Sequence, residues 1–122
     1  MRPALLAYRK IRTDRGLLLA ESANVAANLP QKVIDQIDRA GLPSAGQHPF
    51  VPGLVKNRRG ESVIKKEAIQ LGPKKGKVGY VDDRGRIWLR DRAHAHVPDH
   101  WDVQENAGAS YFRVDDFGNE IP

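Results

Sequence analysis

The feature that most constrains the fold is the patterning that begins at residue 73. From there on, short runs of aromatic and β-branched residues alternate with polar ones between turn signals. "KVGYV" passes through "DDRG" into "RIWLR"; "HWDVQ", "SYFRV" and "EIP" follow, separated by the polar loop 92–98, "ENAGA" and "DDFGN". A period of two sets Ile87 and Leu89 against Trp88, and Trp101 and Val103 against Asp102. The intervening loops are short enough for each strand to pair with the next, which predicts a small, twisted antiparallel meander.

Residues 3–40 carry a different pattern. "ALLAYRKI" and "LLLAESANVAANL" are rich in Ala and Leu and read as helices separated near Gly16. Pro30 suits the first turn of a further helix, "PQKVIDQIDRAGL", which sets Val33, Ile34, Ile37 and Ala40 on one face before Gly41 and Pro43 stop it. Residues 41–60 are a Gly/Pro-rich connector in which the isolated His48 reads as a surface or packing residue. "ESVIKKEAIQLG" is read as a short helix, with a strand as the alternative. The expected class is α+β: a helical N-terminal part followed by a small twisted antiparallel sheet. Its division is 1–60, helical region and connector, and 61–122, the β domain carrying function.

A chain of 122 residues supports one hydrophobic core. No apolar run approaches a membrane span, and "MRPALLAYRKIRTDRG" lacks the apolar core and cleavage site of a signal peptide. With no cysteine there is no disulfide, thiolate zinc site or cysteine nucleophile, so a metal would rest on His and carboxylate. The net charge of +5 is unevenly spread: residues 1–92 hold 19 Lys/Arg against 9 Asp/Glu, and residues 93–122 hold 1 against 6. The first part suits a polyanion such as nucleic acid.

Within that part, "LGPKKGKVGY" sets Lys74, Lys75 and Lys77 among glycines, without the spacing or Ser/Thr of a phosphate-binding P-loop. Arg84, Arg86, Arg90 and Arg92 follow. In strand geometry Arg84, Arg86, Trp88 and Arg90 share a face, which would combine base stacking with phosphate contact. A solvated face kept soluble by charge accounts for the same residues.

The densest chemistry is "RDRAHAHVPDHWDVQ", residues 90–104, with three of the four histidines (His94, His96, His100) and three carboxylates (Asp91, Asp99, Asp102). Three readings compete: general acid–base catalysis, a metal site built on His94 and His96 with His100 or Asp99, and a polar loop with no chemistry. Six such groups beside a basic stretch favour catalysis, specifically RNA cleavage without metal or other cofactor. Asp91 and His94 then form the acid–base pair, with His96 or His100 as second proton donor and Asp99 or Asp102 orienting a ring. Lys77 and Arg90 would stabilise transition-state charge, while Lys74, Lys75, Arg84, Arg86, Trp88 and Arg92 hold the strand. The rivals are a metal-dependent DNase and a non-catalytic nucleic-acid-binding protein using residues 56–92, which hold 12 Lys/Arg against 5 Asp/Glu.

The stretch from "GKVGYVDDRGRIWLRD" through "HWDVQ" to "DDFGNEIP" resembles the C-terminal toxin modules of bacterial polymorphic and contact-dependent toxin systems. More distantly it is similar to the cytotoxic domain of ribosome-cleaving colicins, whose pattern falls here on Gly85, Arg86, Ile87, Trp88, Asp91, His94 and Asp99. The resemblance covers about residues 72–122. It implies a secreted or delivered bacterial effector nuclease acting in the cytoplasm of a competing cell. It also implies a cognate immunity protein, of acidic character because it must cover a basic cleft.

Overall fold

The structure is a computed structural model that describes residues 29–92 and 98–122. Helix α1 (Gln31–Ala40) begins immediately after Pro30, whose carbonyl accepts from the amides of Val33 and Ile34. Val33 and Ile37, one turn apart, are the residues it buries. Gly41 stops it in the left-handed conformation, φ 77°, and Leu42 N–H closes the end on the Ile37 carbonyl.

The rest is antiparallel sheet. Strands β1 (Leu54–Lys56) and β2 (Ser62–Ile64) form a two-stranded hairpin. Strands β3 (Lys66–Ala68), β4 (Val78–Val81), β5 (Ile87–Asp91), β6 (His100–Glu105), β7 (Ser110–Val114) and β8 (Glu120–Ile121) form a six-stranded meander in chain order. The expected class is therefore corrected. Among the described residues there are eight strands in two sheets and one ten-residue helix, not a helical part followed by a sheet. The segment "ESVIKKEAIQLG" forms β2 and β3 rather than a helix, because Val63 and Ile64 pair with Val55 and Leu54, and Lys66, Glu67 and Ala68 with Tyr80, Gly79 and Val78. The helices read within residues 3–28 lie outside the described residues, as do His94 and His96.

Three hairpins turn on one device. In "NRRGE", "DDRGR" and "DDFGN" the first side chain accepts from the amides two and four residues on: Asn57 from Arg59 and Glu61, Asp82 from Arg84 and Arg86, Asp115 from Phe117 and Asn119. The fourth residue is glycine at positive φ (Gly60, Gly85, Gly118), where any other side chain is strained.

The sheet buries both faces. On one, Trp88, Trp101, Val103 and Val114 pack with Phe50, Ile64, Leu42 and the Val33/Ile37 face of α1. The indoles are edge-on to neighbouring rings: Phe50–Trp88 centroids are 5.2 Å apart and Trp88–Trp101 6.4 Å. The second face carries a smaller cluster, Ile69, Val81, Ile87 and Leu89. No helix among the described residues is long and apolar enough to cross a membrane.

Candidate carboxylate–histidine site

On β6 the sequence "HWDVQ" serves both faces. Trp101 and Val103 enter the larger core, so His100, Asp102 and Gln104 project from the opposite face. Strand register sets His100 against Asp91, Asp102 between Leu89 and Arg113, and Gln104 between Ile87 and Tyr111. All three polar residues are buried: His100 is 0% exposed, Asp102 and Gln104 3%. Three buried atoms among them, His100 Nε2, Asp102 Oδ1 and Gln104 Nε2, have no hydrogen-bond partner. Orphaned buried polar atoms are rare, and three on one strand are unusual.

His100 is the centre. Its Nδ1 lies 2.8 Å from the Pro98 carbonyl oxygen, an acceptor only, so Nδ1 carries a proton and donates it there. Its Nε2 lies 3.2 Å from Asp91 Oδ2 and 3.2 Å from Asp102 Oδ1. These are ion-pair distances without hydrogen-bond alignment, so the contact is electrostatic rather than directed. Asp91 is the solvent-facing member of the trio, its side chain 29% exposed. Lys74 Nζ lies 3.8 Å from Asp102 Oδ2, and Arg113 Nε 4.0 Å from Asp102 Oδ1.

Lys74 arrives from the 69–77 connection, which is hydrogen-bonded rather than loose. Ile69 N–H donates to the Lys77 carbonyl and Gly76 N–H to that of Ile69, while Gln70 and Leu71 both donate to the Ala107 carbonyl. Gly72 and Gly108 allow this docking, since a Cβ at Gly72 would stand 2.6 Å from the Gly108 oxygen. Lys75 and Lys77 are exposed on the same loop. The lysine loop thus borders the face that carries His100.

The structure brings together Asp91, His100, Asp102 and Lys74 from the residues singled out in the sequence. Others lie elsewhere. Trp88 is fully buried in the larger core and takes no part in an exposed stacking face. Arg86 holds Asp82, Nε to Oδ2 2.7 Å, with its guanidinium over Phe112. Arg84 is exposed in the turn that Asp82 caps. Arg90 points to the opposite face: it lies over the Trp101 ring, bonds both oxygens of Asp116, and sits 3.7 Å from Asp99. The Asp116 hydrogen bond, aided by charge, lifts its guanidinium above the ordinary range. Arg92 is exposed and joins Arg39, Arg90, Tyr80 and Trp101 around a separate open pocket. Asp99 therefore belongs with Arg90 and not with the trio.

Gln104 and Arg113 were missed. The signal was present: in "HWDVQ" the polar residues recur every second position, so once Trp101 is in the core His100, Asp102 and Gln104 share the other face. Arg113 is legible only through its register with Asp102. His48 packs its ring on Phe112 and pairs with Glu120, as a packing residue does. The chain matches no family model, no curated protein and no solved structure.

Proposed function

We propose that this domain cleaves RNA, with Asp91, set beside the buried His100 and Asp102, taking the proton from the attacking 2′-hydroxyl. The observation that carries this reading is the buried, incompletely paired polar face of β6 set beside a part-exposed carboxylate and a lysine loop. Apolar residues at these positions would give a more stable sheet, so the polar ones need a reason in chemistry. His100 turns one nitrogen to Pro98 and the other to two carboxylates, so its task is positioning rather than contact with phosphate. Protonation of the departing 5′-oxygen is assigned to His94 or His96, in the connection between β5 and β6. Lys74, Lys75, Lys77 and Arg113 draw in the backbone and offset charge on the phosphorane. Following the resemblance of residues 72–122, the biological role is that of a bacterial effector toxin delivered into a competing cell and neutralised by an acidic immunity protein.

The test is incubation of the purified chain with RNA and, separately, DNA in excess chelator. RNA is cut and DNA is not, and Asp91→Asn lowers the rate by about 10²–10⁴-fold, the usual worth of a general base, with the melting temperature little changed. RNA cleavage that survives both Asp91→Asn and His94→Ala/His96→Ala would refute the assignment. Retention of intact RNA with a steep salt dependence would identify a binding module instead.

A further inference from the structure

We infer that Asp91, His100 and Asp102 form a binding site for a divalent transition-metal cation, Zn²⁺ being the best match. One atom from each, Asp91 Oδ2, His100 Nε2 and Asp102 Oδ1, lies within 4.8 Å of the others. With Nδ1 turned to the Pro98 carbonyl, Nε2 is the nitrogen aimed at the carboxylates. It faces two carboxylate oxygens at 3.2 Å, and both His100 Nε2 and Asp102 Oδ1 are buried without a hydrogen-bond partner.

Nε2 and the two carboxylate oxygens that face it form a converging nitrogen and oxygen donor set. A cation suits such a set: bonds of about 2.0–2.2 Å at tetrahedral to octahedral angles place ligand atoms roughly 3–3.5 Å apart, and both His100–carboxylate distances, 3.2 Å each, fall in that span. The Nδ1–carbonyl bond is the outer contact that metal-bound histidines ordinarily make, fixing the tautomer and aiming the other nitrogen. One imidazole with two carboxylates is a mixed set suited to Zn²⁺ rather than to Mg²⁺, which prefers oxygen and its own waters. Lys74 occupies the far oxygen of Asp102, and the part-exposed side at Asp91 leaves an open position for water or a phosphate oxygen. The inference concerns the site of the proposed function but does not depend on RNA being cleaved there.

The experiment titrates Zn²⁺ into the chelator-treated full chain by calorimetry and follows thermal unfolding. One equivalent binds with micromolar affinity, and saturation raises the melting temperature by several degrees. Co²⁺ in its place gives the visible bands of a low-coordinate N/O site. Asp91→Asn, a change at the solvent-facing ligand that leaves the fold intact, weakens binding at least about tenfold, while His48→Ala leaves it unchanged. Absence of binding would overturn the inference, as would binding untouched by Asp91→Asn but lost in His94→Ala/His96→Ala. If Asp91 serves both roles, Zn²⁺ suppresses RNA cleavage in step with occupancy. Zn²⁺ bound with no cleavage under any condition would dismiss the nuclease reading and leave the metal site standing.

Discussion

Replacing Asp82 by alanine tests the account of the fold at its most concentrated point. The side chain is 1% exposed and holds four donors: the amides of Arg84 and Arg86 at 2.9 Å each, Arg86 Nε at 2.7 Å and Trp88 Nε1 at 3.0 Å. Removing one partner of a buried ion pair costs about 3–5 kcal/mol. The lower end applies here, because Arg86 keeps 17% of its side-chain surface in solvent. The Trp88 indole N–H, left in the core without an acceptor, adds roughly 1–3 kcal/mol. The expected loss is therefore about 4–6 kcal/mol, against a total of about 5–15 kcal/mol for a domain of this kind.

Asp115→Ala supplies the control, because the chain has repeated the turn without the burial. Asp115 caps the amides of Phe117 and Asn119 as Asp82 caps its two. No guanidinium or indole bond to it is present among the described residues, so its loss costs about 1–2 kcal/mol, the range for a capping side chain. Urea unfolding followed by the fluorescence of Trp88 and Trp101, both in the core, reads the two variants on one scale. If Asp82→Ala leaves too little folded protein, Asp82→Asn, which keeps the volume and an acceptor oxygen, falls between the two. Losses for Asp82→Ala and Asp115→Ala within about 1 kcal/mol of each other would refute the reasoning, since both turns would then be worth their backbone bonds alone.

Two further outcomes follow from single side chains. Loss of hydration and the neighbouring Asp82 carboxylate hold the Asp83 carboxyl above its ordinary value of 3.8. A raised acid favours the folded state below that ordinary value and loses the benefit as pH climbs through the folded one. Asp83→Asn therefore stabilises at neutral pH, and its advantage shrinks as pH falls through the raised folded value and is gone below the ordinary value of 3.8, which urea midpoints across the acid range will show. Gln104→Met removes the orphaned Nε2 from beside Ile87 at nearly constant volume, so it raises stability by about 1 kcal/mol in the same assay.

The larger sheet was legible because its strands have one face that must be buried. Trp101, Val103 and Val114 alternate with polar neighbours as a half-buried strand does, Trp88 sits between Ile87 and Leu89 on a strand buried on both faces, and the Asp/Gly turns give the strand ends. The short strands β2 and β3 were not legible. Three residues each, Ser-Val-Ile and Lys-Glu-Ala, they have no period to read, and they are strands because Leu54–Lys56 and Val78–Tyr80 offer them partners. The arginine face failed for a related reason. Alternation says that Trp88 and Arg90 share a side of β5, but not that the side is the core, where Arg90 escapes over Trp101 to Asp116. For the site, proximity in sequence identified the right segment and the wrong pairings. Asp91 and His100 meet because β5 and β6 pair antiparallel and put them opposite one another, whereas Asp99, next to His100 in the chain, turns to Arg90.

The same five residues, "HWDVQ", are therefore asked to do opposing things. Burying Trp101 and Val103 drives the sheet together, while on the reverse side of the strand His100, Asp102 and Gln104 give up solvation that their neighbours only partly return. Alternation is what makes this tolerable, since Trp101 and Val103, which build the core, lie one residue away from the groups that would weaken it. The fully buried indoles each contribute on the order of 3–5 kcal/mol by the usual cost of their removal, more than one orphaned polar atom takes away. A site embedded in a strand of this kind is rigid by construction. Strand pairing holds His100 between Asp91 and Asp102, and so the geometry of the proposed cation site is already present before a ligand arrives.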